Sequence, residues 1–147
     1  MIALRILIIV GVLSQLGEPT IKNAMPTLLK LEQAALFLLG VYLFTTLNYA
    51  WWWFPVLFFL PDLSMLGYVA GPRVGAAIYN VVHHKAVGMG IFILGALMAS
   101  PPITLIGVIL FAHSAMDRIF GYGLKYADAF QHTHLGWIGK ENQGREA

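Results

Sequence analysis

Cysteine is absent from this chain of 147 residues, and charge is scarce. Only 11% of positions are Asp, Glu, Lys or Arg, where a soluble domain carries roughly 25%. The first absence excludes disulfides, thiolate metal ligands and cysteine nucleophiles, so any metal would fall to His, Asp or Glu. The second, together with 59% hydrophobic residues and a mean hydropathy of +0.73, excludes a water-soluble domain and predicts an integral membrane protein. The nine Lys and Arg are scattered, and the net charge is only +2. Without a basic stripe interleaved with aromatics, nucleic acid is excluded as a partner. No HExxH helix and no Walker or dinucleotide glycine pattern is present.

What the sequence does have is long apolar runs. Residues 1–26 form a hydrophobic N-terminal segment and a linker; Met1–Gly17 is short for a span and suits a short membrane helix, an interfacial segment or a cleaved signal. Glu18 to Pro26, with Pro19, Asn23 and Pro26, has a helix-breaking composition. Residues 27–123 are expected to form an all-α, transmembrane four-helix bundle, with spans at Thr27–Thr46, Trp51–Ala70, Val74–Ala99 and Ile103–Gly123. Pro61 predicts a kink in the second span. The third is either one tilted span or two halves joined near His84. Residues 124–147 read as a polar tail ending in a disordered charged run. Lys22, Lys30, Arg73, Arg118, Lys125, Lys140 and Arg145 all fall on one side of this topology, which the positive-inside rule makes cytoplasmic, C-terminus included.

Ionisable side chains interrupt these spans at Asp62, His83, His84, His113 and Asp117. A charge at the bilayer centre costs about 2.5–3.5 kcal/mol even on the lenient insertion scale, so such groups face one another or water. Counted from the cytoplasmic turns at about 1.5 Å per residue, Asp62, His83 and His113 lie at a shared depth of roughly 13–15 Å. Asp117 follows His113 by one helical turn on the same face, and Asn80 shares a face with His83 and His84.

Three readings of this layer stand side by side. In the first, Asp62, His83 or His84, His113 and Asp117 bind a divalent metal, for which Zn, Mn and Fe are all chemically suited, and an open position activates water for hydrolysis of a lipid-like substrate. Tyr122 or Arg118 would then stabilise developing negative charge. In the second, a buried carboxylic acid and a histidine perform metal-free acid–base isomerisation or cyclisation of a lipophilic small molecule. In the third, the polar groups only lock helices together in a non-catalytic membrane subunit or lipid-binding protein. A proton or ion pathway would require a homo-oligomer of so small a chain.

Around the layer, Arg118 reads as an interfacial side chain that snorkels or pairs with Asp117. Tyr122, Lys125 and Tyr126 read as headgroup anchors, and Arg73, Arg118 and Lys125 offer cations to a lipid headgroup. His132 and His134 would extend a metal site only if the tail folded back. Gly71, Gly75, Ala76, Gly88, Gly90 and Gly95 read as close helix contacts.

The strings PDLSMLGYVAGPRVGAAIYNVVHH, AHSAMDRIFGYGLKYADAF and THLG closely resemble a family of small bacterial membrane proteins known only as a domain of unknown function. That resemblance, over roughly Thr27–Gly136, implies a compact four-helix protein of the bacterial cytoplasmic membrane and supplies no activity. More distantly, Pro61-Asp62, the histidine of the third span and His113 to Asp117 look like elements of the inner-membrane metal-dependent hydrolases. Those proteins carry further histidines beside the first aspartate, where this chain has Ser64 and Tyr68.

Overall fold

The structure, a computed structural model, describes residues 18–139, with side chains from Ala24 onward. The readings made for Met1–Gly17 and for the charged terminus fall outside the described residues. The chain divides into two compact units, Met1–Glu32 and Gln33–Ala147. In the first, the described residues are helical from Glu18 onward. The helix α1, Glu18–Thr45, runs through Pro26, which overturns the expected break before the first span. Pro26 removes a single hydrogen bond from a long helix.

The second unit holds the site and is built from short and broken helices. After α1 come α2 (Trp53–Phe58), a 3₁₀ helix (Leu60–Ala70), α3 (Pro72–Val82), α4 (Lys85–Leu97) and α5 (Pro101–Phe120), then a small antiparallel hairpin of β1 (His132–Thr133) and β2 (Gly136–Trp137). The protein is all-α and of membrane type. Among the described residues, three helical stretches, Ala24–Thr45, Trp53–Ala70 and Pro101–Phe120, are long and apolar enough to cross a membrane, and α3 with α4 forms a fourth if the bent pair counts as one span.

The kink expected at Pro61 is a change of helix type. Pro61 stands in the first turn of the 3₁₀ helix, where its missing N–H would have closed a bond in the same register. The third span is the two-part alternative: α3 and α4 meet at a 46° bend, with His83 and His84 in the break.

α5 is the central post. Its spanning window is 67% buried against 11% for Trp53–Ala70, so α5 is wrapped by its neighbours while the other stretch turns most of its surface outward. Pro101 and Pro102 start it, with their fixed φ in the first turn. Gly121 ends it in the left-handed region at φ 87°, with the Tyr122 N–H reaching back 2.8 Å to the Asp117 carbonyl. Phe44, Leu105, Val108 and Ile109 form the apolar core, with Phe54, Leu57 and Phe92 packed on it. α4 lies close against α5 because glycines remove side chains at the crossing: a Cβ on Gly88 would stand 2.7 Å from the Phe111 nitrogen. Gly90, expected at a helix contact, instead faces open space.

The segment after α5 is folded. The Asn80 amide grips the Lys125 backbone from both sides, donating to its carbonyl at 2.8 Å and accepting from its N–H at 2.7 Å, as a neighbouring strand would. The Leu124 N–H donates to His134 Nδ1 at 2.7 Å, and Tyr126 pairs with His132, so the hairpin is pinned to α3 through Leu124–Tyr126.

Candidate metal centre

Asp62 from the 3₁₀ helix, His83 from the end of α3 and His113 from α5 converge, each offering one ligand atom, and the three atoms all lie within 4.8 Å of one another. The two Nε2 atoms are 3.1 Å apart, and Asp62 Oδ1 is 3.3 Å from His113 Nε2 and 3.6 Å from His83 Nε2. Both imidazoles are buried, at 0% and 1% exposure, while the Asp62 side chain is 39% exposed. Entry is therefore from the Asp62 side.

The far nitrogens decide the state of the near ones. His113 Nδ1 lies 2.7 Å from the Phe58 carbonyl, and His83 Nδ1 lies 3.0 Å from the Tyr79 carbonyl. A carbonyl oxygen only accepts, so each Nδ1 carries the hydrogen and donates it. In its neutral form each ring would then present a bare lone pair at Nε2 towards the other ring. Pro61 makes one of these bonds available. The Phe58 carbonyl has no N–H at Pro61 to bind, and the Asp62 N–H bonds to Phe59 instead, which leaves the oxygen to His113.

A pair of facing lone pairs beside a carboxylate is satisfied by a shared cation. Ligands about 2.0–2.2 Å from a tetrahedral ion are separated from one another by roughly 3.3–3.5 Å, close to the separations here. The residues present fit a metal ion in ligand chemistry and spacing.

Asp117 stands outside this three-residue group, although its carboxylate is 3.7 Å from each Nε2. The Tyr79 hydroxyl donates to Asp117 Oδ2 at 2.8 Å, and the Tyr79 ring stacks on His83 at 3.7 Å with an interplanar angle of 11°. Tyr79, fully buried, was missed by sequence reasoning. Its i, i+4 relation to His83 was the available signal.

His84 is exposed and caps the start of α4, apart from the group. Arg118 neither snorkels nor pairs with Asp117 in any described ion pair. It is 9% exposed, donating to the Tyr122 carbonyl and, at 3.1 Å, to that of His83. A guanidinium offers five donors, and here two backbone carbonyls at helix ends take them. Tyr122 and Tyr126 are exposed at 42% and 49%, whereas Lys125, expected at the headgroups, is 4% exposed. Among the described residues its ammonium has no hydrogen-bond partner, and it sits 4.2 Å from the Phe130 ring centroid and 5.1 Å from that of Tyr79. Burial pushes this amine below the ordinary lysine value. His132 pairs with Asp128 at 2.8 Å and stacks on Trp137, and His134 holds Leu124, so the tail histidines serve the hairpin.

An all-α membrane-type chain with two buried histidines and a partly exposed aspartate brought together is the class that fold and site define. The chain belongs to the family described as Domain of unknown function (DUF4260), which it matches over residues 26–138. No curated protein and no solved structure matches it.

Proposed function

We propose that the protein is a metal-dependent hydrolase of the bacterial cytoplasmic membrane, acting on a lipid-like substrate. The observation that supports this reading is the pair of Nε2 atoms 3.1 Å apart, on rings whose Nδ1 atoms donate to backbone carbonyls, with the Asp62 carboxylate alongside. An ion held by Asp62, His83 and His113 would polarise a carbonyl or phosphoryl oxygen and acidify a water.

The chain's own residues do the rest. Asp117, held through one oxygen by Tyr79, is placed to take a proton from the attacking water. As the water oxygen bonds to the acyl carbon or phosphorus, the bond to the leaving oxygen breaks and the proton passes to that oxygen. Arg118 is a positioning residue in this scheme, because it holds the His83 carbonyl and thereby the end of α3. The exposed edge of Asp62 is where substrate arrives from the bilayer. By the positive-inside argument the C-terminus is cytoplasmic.

A structural role for the same groups is favoured by one feature: the bond from His113 to Phe58 ties separate elements together without any ion. Activity separates the two readings. Detergent-purified protein, stripped with a chelator and reloaded with Zn, Mn or Fe in turn, is expected to cleave ester or phosphoester bonds in phospholipid vesicles. Asp62→Asn should lose that cleavage while keeping its melting temperature. No turnover with any of the three metals would contradict the hydrolase reading.

A further inference from the structure

A cavity of about 330 Å³, with almost wholly apolar walls, is lined by residues that neighbour the candidate ligands in sequence, although no ligand itself lines it. Its lining comes from the three elements that supply the ligands, together with Leu57 of α2. Pro61 adjoins Asp62, Val82 adjoins His83, and Leu110 lies one turn before His113 on α5. The floor is completed by Leu57 and Ile109. The volume lies at the lower end of the roughly 300–1,000 Å³ range of small-molecule sites, and a wall of this composition has nothing to offer a polar ligand. One exception stands in it. Ser64, two residues from Asp62, lines the cavity, and its buried hydroxyl has no hydrogen-bond partner among the described residues. A buried hydroxyl without a partner is costly, and rotation about χ1 towards the cavity would bring it to a ligand oxygen there.

We infer that this cavity seats a single hydrocarbon chain of a membrane lipid, with the Ser64 hydroxyl donating to the first oxygen at the head of that chain. The occupant follows from three observations taken together. The walls accept only hydrocarbon, the lone polar atom lies near the ligand Asp62, and the lining elements are among those apolar enough to cross a bilayer, where such chains are the solvent. The chain would thread between Leu57, Val82 and Ile109, and the bond at its head would come to rest next to Asp62. This inference deepens the hydrolase reading and rests on it for the fate of the bound lipid, but chain binding itself requires no metal.

The test uses the full chain in detergent, stripped of metal, and a fatty acid carrying a photoreactive diazirine near its methyl end. Light is expected to attach the probe to peptides containing Leu57–Ser64 and Ile106–Leu110. Val82→Trp and Ile109→Trp, which fill the cavity with an indole, should each weaken that labelling about tenfold, because several methylenes lose their burial. Ser64→Ala, a smaller change that keeps the packing, should release a fatty acid carboxyl and weaken labelling by a lesser factor. Labelling spread evenly over outward residues such as Leu38, Val69 and Leu97, and untouched by all three variants, would overturn the inference. If the metal-free protein is labelled in the cavity but no reloaded form hydrolyses lipids, the chain site stands and the hydrolase reading fails. If reloaded protein is active but the cavity is never labelled, the chain site fails alone.

Discussion

Two imidazoles aimed at each other through Nε2, 3.1 Å apart, make an arrangement that is unfavourable unless a proton or a metal ion sits between them, and single residues set that arrangement up. Pro61 withholds the N–H that would otherwise compete for the Phe58 carbonyl, so Pro61→Ala gives that oxygen a second suitor and loosens His113. Loss of such a supporting bond typically costs about 10–100-fold in metal affinity, and a competition titration with a chelating dye is expected to read a weakening of about tenfold. Tyr79→Phe removes the hydroxyl from Asp117, a carboxylate 6% exposed, and should lower stability by about 1–3 kcal/mol in a denaturant series. The convergence of Asp62, His83 and His113 was legible in the chain, because depth counted from helix ends is a property of spacing. The tautomers were not, since they depend on which carbonyls the fold leaves unpaired. Arg118 was misread for the same reason: nothing in the sequence states that the ends at His83 and Tyr122 would need its donors.

Whole elements were legible where apolar length speaks, as in α5, and less so where a helix breaks. The bend at His83 and His84 was open from composition; the structure places it where α3 ends on a histidine whose carbonyl Arg118 takes. The close seam of α4 with α5 follows from glycine. Gly88→Leu would drive a side chain into the Phe111 backbone and should destabilise the protein by about 1–3 kcal/mol, visible as a lower melting temperature with metal present or absent. The segment Leu124–Gly139 was read as a polar tail because its composition hides its partner. Asn80 and the aromatic cage of Lys125 hold it on α3. The Lys125 amine, depressed by burial, binds its proton less readily folded than unfolded. Between that lowered value and the ordinary 10.5 the unfolded chain therefore holds more protons, and stability rises with pH. Thermal melts of the wild type are expected to shift upward as pH is raised towards 10.5, and Lys125→Met should abolish the shift.

At the scale of the molecule, broken helices of membrane type carry a buried polar cluster whose entrance, at Asp62, is its most exposed side chain. Polar groups at such depth are tolerated only when paired, and pairing by a cation satisfies both facing nitrogens at once. The decisive measurement is the metal content of protein purified in detergent under mild conditions, compared with a His83→Gln, His113→Gln double variant. One divalent ion per wild-type chain, and essentially none in a double variant that still melts cooperatively, is the expected result. A wild type that stays metal-free after incubation with Zn, Mn and Fe, yet melts no lower than the same protein exposed to each ion, would contradict a metal centre at these residues.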